Sequence, residues 1–394
     1  MNEEQYLFSL ESRGIKLGLQ RTIQLLKECG NPHKKIKIIQ IIGTNGKGST
    51  SAILSQLLQA DFSVGLYTSP HLLSFQERIR VNGIPIKISE VREFLIKYKS
   101  AIEKTEASFF EAMTVMSVWY FCNKGVDYAI METGLGGKFD SVSACDADVY
   151  GMTSISMDHM HILGSSLKAI TREKVGAIKP NSIVFSAPQQ KSVQSVIHEY
   201  CMKNNCNFTF INTNSKLKLS LPGIHQKENA SLAINIFKHI QPLCSQKFID
   251  KKLLLIKWFG RNQIIKESPK TVFDVAHNDA GIISFINNMK SEKSEFKNKY
   301  LLLSIQKNKS FIKAAKMINS MFDEVIYCKT NNSKSMDFSK IKTLLPQCIY
   351  IENSITAINT ILKKSEKNDF IGIIGTHYWG ESINQVFNIS FDNL

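Results

Sequence analysis

The sequence predicts an α/β protein of two domains, a larger first domain on a parallel sheet with a glycine-rich strand-to-helix loop and a smaller second α/β domain. Three observations predict it. Strand-like and helical runs alternate along the 394 residues, as in a parallel sheet covered by helices. A glycine-rich turn, IIGTNGKGST (residues 41–50), sits between the first strong strand pattern and a helical one. The alternation is interrupted near Trp258 to Asn262 and then resumes.

Taken in order, IKIIQII is an apolar, β-branched run that reads as a buried strand, and Ile53, Leu54, Leu57 and Leu58 recur at helical spacing after it. The runs SVGLY, DYAIMET, DVYGMTSI and SIVFSA each precede a turn and usually an amphipathic stretch. After IKWFGRNQII a second series follows: TVFDVA, YLLLSI, EVIYCK, CIYIE and FIGIIG, separated by helical segments such as KSFIKAAKMINSMF. The expected division is residues 1–257, a linker at 258–262, and 263–394.

Composition narrows the class. A hydrophobic fraction of 43% suits a globular chain with a sizeable core. The opening MNEEQYLF carries acids where a signal peptide needs positive charge, and no apolar run is long enough to span a bilayer, so a cytoplasmic protein without membrane partners is expected. The eight cysteines are scattered without paired CxxC clusters, and read as reduced and structural rather than as a zinc site. A formal charge of +15 favours anionic ligands in general. The lysines are spread out, and aromatic residues do not interleave with a basic stripe, so no nucleic-acid partner is expected.

The residues that could carry chemistry lie at strand ends, where open parallel sheets gather ligands. A helix start presents free amide donors and a favourable dipole, and glycines let the backbone close around phosphate oxygens. Lys47 would add a point charge and Ser49 or Thr50 a hydroxyl near magnesium. The spacing departs from G-x-x-x-x-G-K-[ST], and a plain strand-to-helix turn is the alternative. Glu132 in METGLGGKFDS can reach a metal held by a nucleotide, or be a solvated carboxylate beside a tight turn. SISMDHMHILG brings His159 to the same edge, though a histidine by an apolar segment is commonly structural. Ser69 precedes a proline and could offer a hydroxyl or simply mark a turn. Lys174 lies on a helical stretch, SLKAITREKVGAIKP; it is an ordinary cation if exposed, and open to deprotonation and modification if buried. In the second domain FDVAHND places Asp274, His277 and Asn278 at a strand end, and Arg261 could pair bidentately with a phosphate; a hydrogen-bonded turn and a surface cation are the alternatives.

Taken together, YLFSLESRGIKLGLQRTIQLL, GTNGKGST, YTSPHLLSFQERIRVNG, SFFEAMTV, METGLGGKFD, SMDHMHILG, REKVGAIKP, HQKENASLA, FGRNQII, DVAHN and IIGTHYWG resemble the bacterial folylpolyglutamate synthases and dihydrofolate synthases, relatives of the peptidoglycan Mur ligases. The segments run from Tyr6 to Gly380 in the expected order. The resemblance implies a Mur-ligase-type central ATPase domain with a P-loop and a Rossmann-like second domain. It implies that ATP phosphorylates a substrate carboxylate and that L-glutamate then displaces phosphate to form an amide. Thr44, Asn45, Gly46, Lys47, Gly48 and Ser49 would hold the triphosphate, and Asn229, Arg261 and Asp274 the rest of ATP. Ser69, Glu132 and His159 match magnesium ligands of the family, and Lys174 its carbamylated lysine, which bridges toward a second magnesium. Catalytic roles would fall to Lys47, Lys174 and His277. The pterin or folate acceptor, dihydropteroate or tetrahydrofolate, would meet Lys16, Leu17, Gly18 and Leu19, then Ser108, Phe109, Phe110 and Glu111, then Phe139, Asp140 and Ser141, where aromatic faces suit a stacked ring. A monomer is implied.

Three stretches depart from the family pattern. Ser141, Val142 and Ser143 stand where Ala-Thr-Asn is usual, LSIQKNKS replaces G-x-x-x-D-K-D and carries no acid, and HND replaces His-Asn-Pro. Two other readings compete. A Mur-type ligase would act on a nucleotide-linked sugar, against which KLGLQR and SFFE favour a pterin acceptor. A basic nucleic-acid-binding P-loop module would leave Glu132, His159 and Lys174 without a shared purpose.

Overall fold

A computed structural model describes residues 2–14, 18–292, 295–331, 333–392 and 394. Two compact units emerge. The first holds Met1–Ser220, Lys227–Ile256 and Asp392–Leu394, and the second Leu221–Gln226 and Lys257–Phe391. The chain therefore passes from one unit to the other at Leu221, back at Lys227, across again at Lys257 and back at Asp392, where the sequence division at 258–262 supposed a single crossing.

The first unit is built on an eight-stranded sheet of β1 (Lys37–Ile42), β2 (Val64–Tyr67), β3 (Ile79–Val81), β4 (Ile84–Pro85), β5 (Tyr128–Glu132), β6 (Val149–Met152), β7 (Ile183–Ser186) and β8 (Asn207–Phe210), in the order β4-β3-β2-β5-β1-β6-β7-β8. From β2 to β8 every pairing is parallel, and β3 and β4 add an antiparallel edge absent from the expected all-parallel sheet. Helices cover both faces of such a sheet, so the central β1 is buried at every position after Lys37. Its single buried polar member, Gln40, bonds inside: Nε2 donates to Thr133 Oγ1 (2.9 Å) and Ser143 Oγ (3.0 Å). The helix Phe109–Asn123 is buried almost all round, which is why its sequence FFEAMTVMSVWYFCN lacks a polar face.

The second unit has a six-stranded sheet of β9 (Gln263–Lys266), β10 (Lys270–Asp274), β11 (Lys299–Leu303), β12 (Glu324–Tyr327), β13 (Ile349–Tyr350) and β14 (Phe370–Ile374), ordered β13-β12-β11-β14-β10-β9. Only β9 is antiparallel. The helices Asp279–Lys290 and Ile312–Met321 bury Ile282, Phe285, Ala314 and Ile318 in its core. Among the described residues no helix is long and apolar enough to cross a membrane.

Candidate active site

Strand register in the first unit sets the site. Ile41 pairs with Glu132, Ile42 with Met152 and Tyr67 with Met131, all in parallel. The chain following β1, β2, β5 and β6 therefore leaves the sheet at one edge, and those four exits carry the glycine loop, Ser69, the Glu132 turn and His159. Nothing local in the sequence joins these segments; the strand order does.

The glycine loop is held by the segment after β6. Thr44 N and Asn45 N donate to Ser154 O (2.9 and 3.4 Å), Ser156 N donates to Thr44 Oγ1 (3.1 Å), and Asn45 Nδ2 donates to Ser156 Oγ (3.3 Å). Thr44 and Asn45 thus fix the loop's shape. Ser154 and Ser156, the first and third residues of SISMDHMHILG, are its supports; only their place right after a strand marks them. The helix Lys47–Leu58 begins at the loop with Gly46 as N-cap, in the left-handed region at φ +90°. A Cβ at Gly46 would lie 2.2 Å from Asn229 Oδ1, so only glycine lets Asn229 reach the loop. This brings Asn229 to the glycine loop from 183 residues away in sequence (229 − 46).

Lys47 Nζ donates to Thr44 O (3.1 Å) and stands 3.9 Å from Glu132 Oε1. The other oxygen of Glu132 accepts from Ser69 N (3.1 Å), so this buried carboxylate links the β2 exit to the loop lysine. Behind them Lys174, also buried, donates from Nζ to Gly43 O (2.8 Å). Burial, reinforced by the nearby Lys47 charge, pulls its ammonium down to about 7. The approach depends on Gly137, where a Cβ would meet Lys174 O at 2.4 Å. His159, in the left-handed region at φ 48°, donates its backbone N–H to Asp158 Oδ1 (2.8 Å) and is more open than Glu132.

These residues fit a nucleotide-bound magnesium. Ser49 Oγ is buried with no hydrogen-bond partner among the described residues, and Glu132 supplies a carboxylate beside Ser69. Hard oxygen donors of this kind suit magnesium, which keeps few protein ligands and takes the rest from phosphates and water. Among the described residues no three His, Cys, Asp or Glu side chains gather as a metal cage.

The aromatic residues expected to meet the acceptor divide. Phe109 is buried and stacks on Phe8 (5.5 Å between centroids), whereas Phe110 is 41% exposed and Phe139 is 39% exposed. The Phe110 ring lies at the Gly134 turn together with Ser69 Oγ and Asp140 Oδ2. The guanidinium of Arg78 packs over the rings of Phe109 and Phe110 (5.1 and 5.4 Å) and donates from Nε to His71 Nδ1 (2.9 Å). Arg78 and His71 lie inside YTSPHLLSFQERIRVNG, where no spacing rule marks them.

Other expected acceptor residues are committed within the chain. Glu111 Oε2 accepts from Ser108 N and Oγ (both 2.8 Å), capping the helix Phe109–Asn123, and also meets Arg21 Nε. Asp140 accepts from Gly134 N, Leu135 N and Val142 N at 2.9–3.0 Å, tying the loop closed; burial nonetheless raises its carboxyl above the usual range. Ser141 Oγ lies 2.6 Å from Thr114 Oγ1, and Ser143 Oγ donates to Gly137 O (2.7 Å), which shows how the unusual Ser-Val-Ser is accommodated. Gly18 and Leu19 precede the helix Gln20–Glu28, and Lys16 and Leu17 lie outside the described residues.

In the second unit Asp274 ends β10 and accepts from Asn262 N and Ala276 N (both 2.7 Å); burial raises its carboxyl, against the pull of Arg261. Arg261 Nη1 donates to Gly260 O (2.9 Å), and His277 Nδ1 lies 2.9 Å from Val275 O.

Residues 41–179 match the Mur ligase middle domain, the stretch that carries the loop, Ser69, Glu132, His159 and Lys174. The dihydrofolate synthase/folylpolyglutamate synthase of Bacillus subtilis is 35% identical over 314 residues, 70% of this chain and 73% of that protein. The chain belongs to the dihydrofolate synthase/folylpolyglutamate synthase family. Solved structures share the fold of this family throughout. Escherichia coli FolC in complex with DHPP and ADP superposes with a TM-score of 0.89 at 24% identity, over 98% of both chains. A bifunctional folylpolyglutamate synthase/dihydrofolate synthase with Mn, AMPPNP and L-glutamate bound gives 0.88 at 22% identity, over 99% of this chain and 98% of that one.

Proposed function

We propose that the protein is an ADP-forming ligase that joins L-glutamate to dihydropteroate, to reduced folates, or to both. The observation that carries this reading is the convergence on one sheet edge of the glycine loop, Ser69, Glu132 and Lys174, in a chain of this family. A carboxylate resists attack by an amine, so activation comes first. The acceptor carboxylate oxygen attacks the γ-phosphorus of ATP, the bond to ADP breaks, and an acyl phosphate forms. The amine of glutamate then attacks the acyl carbon, phosphate departs, and the amine's proton passes to solvent or a nearby base.

The chain's residues divide this work. Amides of Gly46, Gly48 and Ser49 and the Lys47 ammonium grip the β- and γ-phosphates, with Thr44 and Asn45 shaping the loop and Asn229, Arg261 and Asp274 binding the remaining parts of ATP. Ser69, Glu132 and His159 would hold magnesium, two ions in all, which neutralises charge on the transferring phosphoryl group when bound. Lys174, with its ammonium pulled down to about 7, gives up its proton more readily than an ordinary lysine; its amine would add carbon dioxide to give a carbamate with loss of one proton, which would be a ligand for the second ion. Phe110 and Phe139 offer ring faces to the pteroyl group, alongside the other acceptor residues expected, and His277 faces glutamate. The reaction is assigned to a monomer in the cytoplasm.

The test is product analysis by mass spectrometry, with purified protein, magnesium, ATP and glutamate, and dihydropteroate and tetrahydrofolate offered separately. A glutamyl amide and ADP are expected from at least one acceptor. Absence of amide product from both overturns the reading.

A further inference from the structure

The turn after β10 holds a residue with no role in the reaction as described. Asp279 is the first residue of the helix Asp279–Lys290, yet its side chain serves another helix: Oδ1 accepts from Ala314 N at 2.8 Å. Ala314 is the third residue of the helix Ile312–Met321, the position whose N–H an N-cap side chain ordinarily takes. That helix has no such residue of its own. Its N-cap is Phe311, fully buried in the core and without a capping hydrogen bond, and the preceding loop, QKNKS, contains no acid. The acid missing from that loop thus stands on the neighbouring helix.

The three consecutive side chains of the turn have distinct partners. His277 Nδ1 lies on Val275 O, Asn278 caps its own helix through Gly281 N (2.9 Å), and Asp279 caps the next helix. The carboxylate thus stands at the N-terminal ends of two helices at once.

We propose that Asp279 is a positioning residue for glutamate binding: by bonding to Ala314 N it anchors the 275–279 turn to the helix Ile312–Met321 and so holds His277 in register with its ligand. The inference rests on the ligase reading and on His277 facing glutamate there.

The experiment compares the full-length wild type with Asp279→Ala and Asp279→Asn, measuring kcat, KM for glutamate and for ATP, the unfolding midpoint, and amide hydrogen exchange over residues 312–321. Asp279→Ala is expected to raise the KM for glutamate on the order of three- to thirtyfold, the range that loss of an N-cap interaction converts to, with the KM for ATP within about twofold. Exchange at the start of the helix should accelerate. Asp279→Asn keeps an acceptor oxygen and should restore most of the affinity for glutamate. An unchanged KM for glutamate in Asp279→Ala overturns the proposal, as does a lowered unfolding midpoint alone, or failure of Asp279→Asn to restore. Exchange separates this from the ligase reading: if wild type makes no amide, that reading fails while accelerated exchange still supports the capping contact, and unchanged exchange overturns the contact itself.

Discussion

Gly46 shows how far a single residue can control the site. Its backbone is left-handed, and the space a Cβ would occupy is filled by the carboxamide of Asn229. For Gly46→Ala, the left-handed backbone alone costs roughly 1–2 kcal/mol, and the methyl group also forces Asn229 off the loop. The expected outcome is a loss of ATP affinity of at least tenfold by calorimetry, with the fold retained by circular dichroism; unchanged affinity would remove Asn229 and the loop from a common site. Residue types in GTNGKGST made the strand-to-helix loop legible, because glycines mark a backbone that must turn sharply there. The internal commitments of Asp140, Glu111 and Ser141 were not legible. A buried carboxylate that ties a loop and one that meets a ligand have the same letter, and only their partners at Gly134, Leu135, Ser108 and Arg21 tell them apart.

Among the elements, the helix Phe109–Asn123 shows the division of labour most plainly. Its cap is closed by Ser108 and Glu111, its body lies in the core, and its first turn sends one ring inward and one outward. Phe109 anchors the helix start against Phe8, leaving Phe110 beside Ser69 and Gly134 with Arg78 over its edge of the cluster. An exposed aromatic ring held in this way is a stacking surface worth about 0.5–1.5 kcal/mol beyond buried area. Phe110→Ala is therefore expected to raise the KM for the pteroyl acceptor about three- to tenfold and to leave the KM for ATP unchanged, checked by steady-state kinetics. Equal effects on both would place Phe110 outside the acceptor site. The strands β1, β2, β5 and β6 were legible, since each is a mainly apolar run followed directly by glycine or threonine. The short β3 and β4 and the edge strand β8 were missed. They are two to four residues long, and half of β8 faces outward, so no sustained apolar run marks them.

Over the whole molecule, Lys174 couples the site to folding stability. Its ammonium falls from the ordinary 10.5 to about 7 in the folded chain, chiefly through burial. Between those values the unfolded chain binds more protons than the folded one, so stability rises with pH across that window. Below about 7 both states are protonated and the burial cost is felt in full. In bicarbonate-free buffer, the unfolding midpoint of wild type relative to Lys174→Met should rise as pH goes from about 7 to 10; a flat difference would mean that the ammonium is not held at a cost. The sequence by itself determined the alternation of strand and helix, the order of the motifs and the residue types at the strand ends, because periodicity and glycine chemistry act over a few residues. Only the tertiary structure decided that the exits of β1, β2, β5 and β6 share one edge, that Lys174 reaches Gly43, and that Asp279 caps a helix 35 residues away. Those contacts depend on strand order and burial, which arise when distant segments pack and have no local signature in the chain.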